Sequence, residues 1–186
     1  MTLQDQVRAH YVSRWGEPTG HEHFRRPDFQ VVVYQWAAST NDEQMTFYAT
    51  AGASALPMPG RAETHRFEYY IGLQFPIDEI RRILANIAMF PLENNAGLGP
   101  GHTIQYLEPL WPGTDMNSVL LQNPENDYMP MLPTQSGLHV EFLDVLLLYP
   151  SELRYKKVHS DEDLLRLWWQ KDVHYWDPNR SPEPAE

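Results

Sequence analysis

Thr64-His65-Arg66-Phe67-Glu68-Tyr69-Tyr70-Ile71-Gly72-Leu73-Gln74-Phe75 is the clearest strand in the chain. His65, Phe67, Tyr69, Ile71, Leu73 and Phe75 fall on one face, and Thr64, Arg66, Glu68, Tyr70 and Gln74 on the other. That period of two is the signature of a pleated strand packed against a core. Pro76 follows at a position tolerated in a helical first turn. Ile77, Ile80, Leu84 and Ile87 then recur at helical spacing, a stripe suited to packing on the sheet. Pro91 is expected to end this helix, because the residue before a proline is pushed out of helical geometry.

Toward the N-terminus, Thr2 and Asp5 are spaced like a capping box, and Leu3, Val7, Tyr11 and Trp15 mark an amphipathic helix closed by Gly16. A polar stretch, residues 16–27, carries His21 and His23. Residues 30–36 and 45–50 are β-branched and aromatic, with Asn41-Asp42 as turn residues between them, which predicts an antiparallel pair. Toward the C-terminus, a short strand is expected at 118–122 and a long one at 138–149. The latter is apolar on both faces at Val145–Leu148, as a covered central strand would be. Pro150 opens a short helix, and Ser160 with Asp163 caps a last one bearing Leu164, Leu165, Trp168 and Trp169. These elements predict an α+β fold: one domain over residues 1–177, a mostly antiparallel central sheet with flanking helices, and a polar tail at 178–186 that frays.

Bulk properties narrow the function classes. The 186 residues suffice for one core, and 42% apolar and 12% aromatic content describes a folded protein. The 16 prolines exceed the roughly 9 that ~5% usage would give, favouring many ordered irregular connections. A net charge of −11, from 25 acidic and 14 basic residues, argues against nucleic-acid binding. The basic runs are only pairs such as Arg25-Arg26 and Lys156-Lys157. No cysteine is present, so disulfides, thiol catalysis and thiolate metal sites are excluded. The longest aliphatic run, Val145–Leu148, falls far short of the ~18 residues of a membrane span. The protein is read as soluble and cytoplasmic, with no membrane partner.

Residues 90–114, dense in Gly, Pro and Asn with a lone His, are where chemistry would first be sought. Gly97-Leu98-Gly99-Pro100-Gly101 lacks the Lys-Ser/Thr ending of a phosphate loop, and Pro100 removes a donor from any anion nest. His21, His23, Glu93 and His102 are of zinc-ligand type, yet no His-Glu-x-x-His helix holds them. Glu93 with His102 would be the acid–base pair of a hydrolase or metal-dependent enzyme. No serine sits in a nucleophile elbow. Asn94 and Asn95 suit the satisfaction of loop backbone. Tyr106, Trp111, Tyr128, Tyr175 and Trp176 lie outside periodic segments, as interface anchors or as caps on the core.

The same loop carries a family resemblance. Phe90-Pro91-x-Glu93-Asn94-Asn95, then Leu98-Gly99-Pro100-Gly101-His102-Thr103-Ile104, then Pro112-Gly113-Thr114 resembles the suppressor of fused domain family. Thr50-Ala51-Gly52-x-Ser54, Val140-Glu141-Phe142-Leu143-Asp144-Val145, Leu148-Tyr149-Pro150-Ser151-Glu152-Leu153 and Asp177-Pro178-Asn179-Arg180 extend it in order from about residue 20 to 180. The resemblance implies an α+β domain like the N-terminal domain of the animal proteins, which bind a transcription-factor peptide as an extended strand between two domains. This sequence is too short for the second domain, so that function is not carried over. Bacterial single-domain members are associated with toxin systems as immunity proteins. The resemblance supplies no catalytic residue and no cofactor. It therefore implies a non-enzymatic protein-binding domain that neutralises a toxin, with a basic toxin domain as the partner suited to the acidic charge. Its binding surface is expected on the motif loop, at Glu93, Asn94, Asn95, His102, Thr103, Tyr106 and Trp111. Peptide capture on a sheet edge is the neighbouring reading.

Overall fold

The computed structural model describes residues 1–134 and 136–184. Among them the chain runs α1 (Leu3–Trp15), β1 (Gly20–Arg26), β2 (Phe29–Trp36), β3 (Thr46–Ala51), β4 (His65–Leu73), α2 (Ile80–Asn94), β5 (Thr103–Gln105), β6 (Ser118–Gln122), β7 (Leu132–Pro133), β8 (His139–Leu148), α3 (Pro150–Val158) and α4 (Asp161–Gln170). The strands form one sheet in the order β1-β2-β3-β4-β8-β6-β5, with β7 pairing β8. Only β4 and β8 pair in parallel; the other described pairs are antiparallel. The fold is therefore α+β with a mostly antiparallel sheet, as the sequence predicts.

Each face of the sheet has its own cover. On the first face Val31, Val33, Tyr48, Tyr69, Ile71, Leu143, Val145 and Leu147 pack against Ile80, Ile83, Leu84 and Ile87 of α2 and against Leu98, Ile104, Leu110 and Met116. On the second face α1 places Val7, Tyr11 and Trp15 over Trp36, Phe47, Tyr70 and Phe142. Next to it, Leu153 of α3 and Leu164 and Trp168 of α4 cover Leu120, Leu146 and Leu148. Burying an aromatic or large aliphatic side chain contributes about 1.5–3 kcal/mol, and both faces do so.

The second face of β4 is polar in sequence yet covered. Arg66, Glu68 and Tyr70 are all buried. The capping box of α1 is present, with Asp5 N–H donating to Thr2 Oγ1 at 3.1 Å and Thr2 N–H to Asp5 at 2.8 Å. Ser160 caps α4 through Asp163 N–H at 3.0 Å.

Three expectations change. The polar stretch 16–27 contains β1, an edge strand paired to β2 along its whole length; its exposed charges and histidines give no apolar alternation, and such charges protect an edge. Helix α2 begins at Ile80, so Pro76 and Ile77 lie in the connection before it. It also runs through Pro91 to Asn94. Pro91 forfeits one hydrogen bond near the end of the helix, and its buried ring lines a small cavity with Phe29 and Met58. The stop is instead Asn95, in the left-handed region at φ 48°, ψ 40°.

Residues 178–184, within the segment read as a fraying tail, are anchored. Arg180 is buried, Glu183 N–H donates to Glu152 at 3.0 Å, and Trp168 Nε1–H donates to the Glu183 carbonyl at 2.9 Å. The rest of that tail, residues 185 and 186, lies outside the described residues.

Candidate functional site

The motif loop is built as a scaffold. Gly97 passes so close to the 58–61 turn that a Cβ there would stand 2.2 Å from the Pro59 carbonyl oxygen. Leu98 N–H points at Met58 Sδ at 3.2 Å, and Leu98 itself is buried in the first-face core. His102 is exposed, and its Nδ1 lies 3.2 Å from the Gly97 carbonyl across the turn. Glu93 is exposed and pairs with Arg26 of β1 at 3.3 Å. Asn94 Nδ2–H donates to the Phe90 carbonyl at 3.0 Å.

Asn95 stops α2, and Thr103 begins β5. Tyr106 and Trp111 pack half-buried on the core, and burial lifts the Tyr106 phenol to about 12. Glu93 and His102 are thus each engaged separately, with no hydrogen bond between them among the described residues. No group of three His, Asp or Glu side chains with metal-binding geometry occurs there either.

Two other motif segments form buried polar joints. The Glu68 carboxylate accepts from Thr50 Oγ1 at 2.6 Å, Ser54 Oγ at 2.5 Å, Gly52 N–H at 2.9 Å and Ser54 N–H at 3.0 Å. The Thr50–Ser54 segment therefore wraps a carboxylate on β4. Burial raises the Glu68 pKa, and these donors oppose it. The second joint links Glu152 to Arg180, whose Nη1 and Nη2 donate to the two carboxylate oxygens at 2.5 and 2.8 Å. Arg180 Nη2 also reaches the Leu147 carbonyl at 2.9 Å, and its guanidinium lies 4.7 Å from the Trp168 ring centroid. This bidentate geometry is the strong form of an ion pair.

A cavity much larger than the one beside Pro91 lies elsewhere, on the second sheet face where the cover of α1 stops short of α4. It is a half-open cleft of about 560 Å³, within the 300–1,000 Å³ typical of ligand sites. Its floor follows the strand register. Tyr70 on β4 pairs with Asp144 on β8, and Asp144 pairs in turn with Gln122 on β6. Phe47 of β3 lies against Gly72, where a Cβ would meet the Phe47 ring at 2.6 Å, so the glycine leaves room for that ring.

One wall is Tyr128, its hydroxyl held between Trp15 Nε1 at 3.0 Å and Glu43 at 3.1 Å. Arg14 closes that rim, stacked 4.3 Å over the Tyr128 ring and paired with Glu43 at 3.1 Å. Opposite stand Leu165 of α4 and the Tyr175-Trp176 pair, pinned by Gln74 N–H donating to the Trp176 carbonyl at 2.9 Å.

Asp144 makes no ion pair among the described residues. Desolvation raises its carboxyl to about 7; the Val145 N–H lowers it and the Glu125 charge raises it further. Burial raises the Tyr70 and Tyr175 phenols far above their ordinary value, with Asp144 adding to the effect. None of residues 90–114 lines this cleft. A signal for it was present in the sequence: a single aspartate inside the apolar run Leu143-Asp144-Val145.

The suppressor of fused family model matches residues 26–181. The chain belongs to the suppressor of fused family. Similar solved structures share its fold. The suppressor of fused homologue from Neisseria gonorrhoeae FA 1090 shares 19% identity at a TM-score of 0.71, over 97% of this chain and 96% of that one. The Sufu–Fu complex gives 13% identity and a TM-score of 0.73, over 96% and 91%. Suppressor of Fused from Drosophila gives 14% and 0.64, and this chain spans 49% of its length. Among curated protein sequences none matches the chain. In this suppressor of fused domain the motifs lie mainly at joints that hold the fold: the 58–61 contact, the Glu68 joint and the Glu152–Arg180 pair.

Proposed function

We propose that this suppressor of fused domain is a non-enzymatic protein-binding module of the immunity type, which neutralises a basic toxin domain by taking one of its segments into the cleft between α1 and α4. The observation that carries this reading is the cleft itself, walled by Tyr128, Tyr175 and Trp176 and lined by Glu43, Glu125 and Asp144. Fixed aromatics anchor protein interfaces at low entropic cost, and the −11 charge would steer a basic partner. Sufu in complex with Fu is a precedent for protein recognition on this fold. The hydrolase or metal-dependent alternative loses its support, because Glu93 and His102 serve other contacts. Affinity capture from the native host at low salt should recover a basic protein whose affinity falls as salt rises. Recovery of no partner at endogenous levels would overturn the reading.

A second reading rests on β5. It is a three-residue edge strand bearing Thr103 and flanked by His102 and Tyr106, and an extended peptide would add to it through main-chain hydrogen bonds. Capture that persists unchanged in high salt would favour this edge over the cleft.

A further inference from the structure

Asp144 occupies the centre of the cleft floor, between Tyr70 and Gln122 in the register of the sheet. The lining holds three carboxylates, Glu43, Glu125 and Asp144, against one cation, Arg14. Arg14 is committed to Glu43, so Asp144 and Glu125 are left without a cationic partner among the described lining residues. The walls are the faces and edges of Tyr128, Tyr175 and Trp176, and Tyr70 and Tyr128 lie 6.2 Å apart. Arg14 stacked on Tyr128 demonstrates that this wall accepts a cation, as an aromatic face in a partly dry site does.

We propose that the cleft is a seat for an alkylammonium group: the lysine side chain of a partner protein, its ammonium on the Asp144 carboxylate and its methylene stem against Phe47, Tyr175 and Leu165. This rests on the protein-binding reading above and names the group that is recognised. A compact ammonium with three donors suits one carboxylate flanked by phenols, and its flexible apolar stem suits a cleft walled by aromatic side chains. Burying a lone carboxylate is costly unless a cation pairs with it, and the seat supplies that cation only in the complex.

Charged and titratable groups facing Asp144 are Tyr70 on β4, Tyr175 beyond α4, Glu125 and Tyr128 on the 123–128 rim, and Arg14 with Glu43 on the α1 side; no described lining residue is a histidine. The tyrosines are held neutral by burial. Asp144, at about 7 in the free protein, must lose its proton to hold the ammonium, so affinity rises from pH 6 to pH 8.

The probe is Nα-acetyl-lysine methylamide, titrated into the isotopically labelled full chain, with the norleucine counterpart as control. At pH 8 the lysine probe should shift the Trp176 indole and Asp144 amide signals saturably. The norleucine probe should not. Asp144→Asn, an isosteric change, should weaken the lysine probe about tenfold or more while the rest of the spectrum shows the native fold. Tyr175→Leu should weaken it several-fold. Equal binding by Asp144→Asn, equal shifts with norleucine, or no saturable shift at pH 8 would each overturn the seat. If Asp144→Asn still captures the native partner with full affinity, the lysine seat fails and protein binding stands; if the probe binds and no partner is recovered, the reverse holds.

Discussion

At the residue scale, stability is sensitive to the loss of a single charged group in the interior. Arg180 and Glu152 are 5% and 0% exposed, and the pair joins the start of α3 to a segment 28 residues away. Attraction in a dry site offsets the desolvation of both ions only while both are present. Arg180→Ala strands the Glu152 carboxylate, and a loss of about 3–5 kcal/mol is expected, measured as a fall in the denaturation midpoint at unchanged slope. A loss below about 1 kcal/mol would mean that Tyr149 N–H and Glu183 N–H, which also donate to Glu152, suffice for that carboxylate. His102 is the contrasting case. Its side-chain hydrogen bond to the Gly97 carbonyl is exposed, and water replaces exposed hydrogen bonds with little net change.

At the element scale, alternation and capping made most of the sheet legible. The period of two in β4, the covered run in β8 and the caps of α1 and α4 are local signals, and the chain forms those elements where the signals lie. β1 was hidden because an edge strand needs no apolar face, and the end of α2 because Pro91 sits near the helix end, where one lost bond is tolerated. The candidate site was less legible for a different reason. Its floor joins Phe47, Tyr70, Gln122 and Asp144 from four strands, and that neighbourhood exists only once β4 and β8 pair in parallel. The motif loop stood out because its constraints are contiguous. Gly97→Ala tests that origin. Its Cβ would collide with a backbone oxygen, and overpacking of this kind costs about 1–3 kcal/mol. Gly20→Ala in β1, where the nearest atom is a side-chain oxygen at 3.9 Å, should leave the melting temperature within error of the parent.

For the whole molecule, two desolvated carboxyls contribute to the slope of stability against pH. Asp144 rises from an ordinary 3.8 to about 7 on folding, and Glu68 also moves upward. Between the unfolded and folded values the native state binds more protons than the unfolded state, so stability falls as pH rises through that window. His10 acts in the opposite sense: desolvation lowers its pKa, and stability is lost as pH falls below about 6.5. Chemical denaturation at pH 5.5 and pH 8 should show the parent losing stability toward pH 8, and Asp144→Asn losing distinctly less. Identical slopes would place Asp144 in contact with more water than its position on the sheet provides. The cleft also draws Arg14 from the first helix and Tyr175 and Trp176 from beyond the last. During synthesis its two walls therefore come into being more than 150 residues apart, Arg14 long before Trp176. A chain that has not yet reached Trp176 has only one wall of the cleft, and whatever the cleft holds must wait for the other.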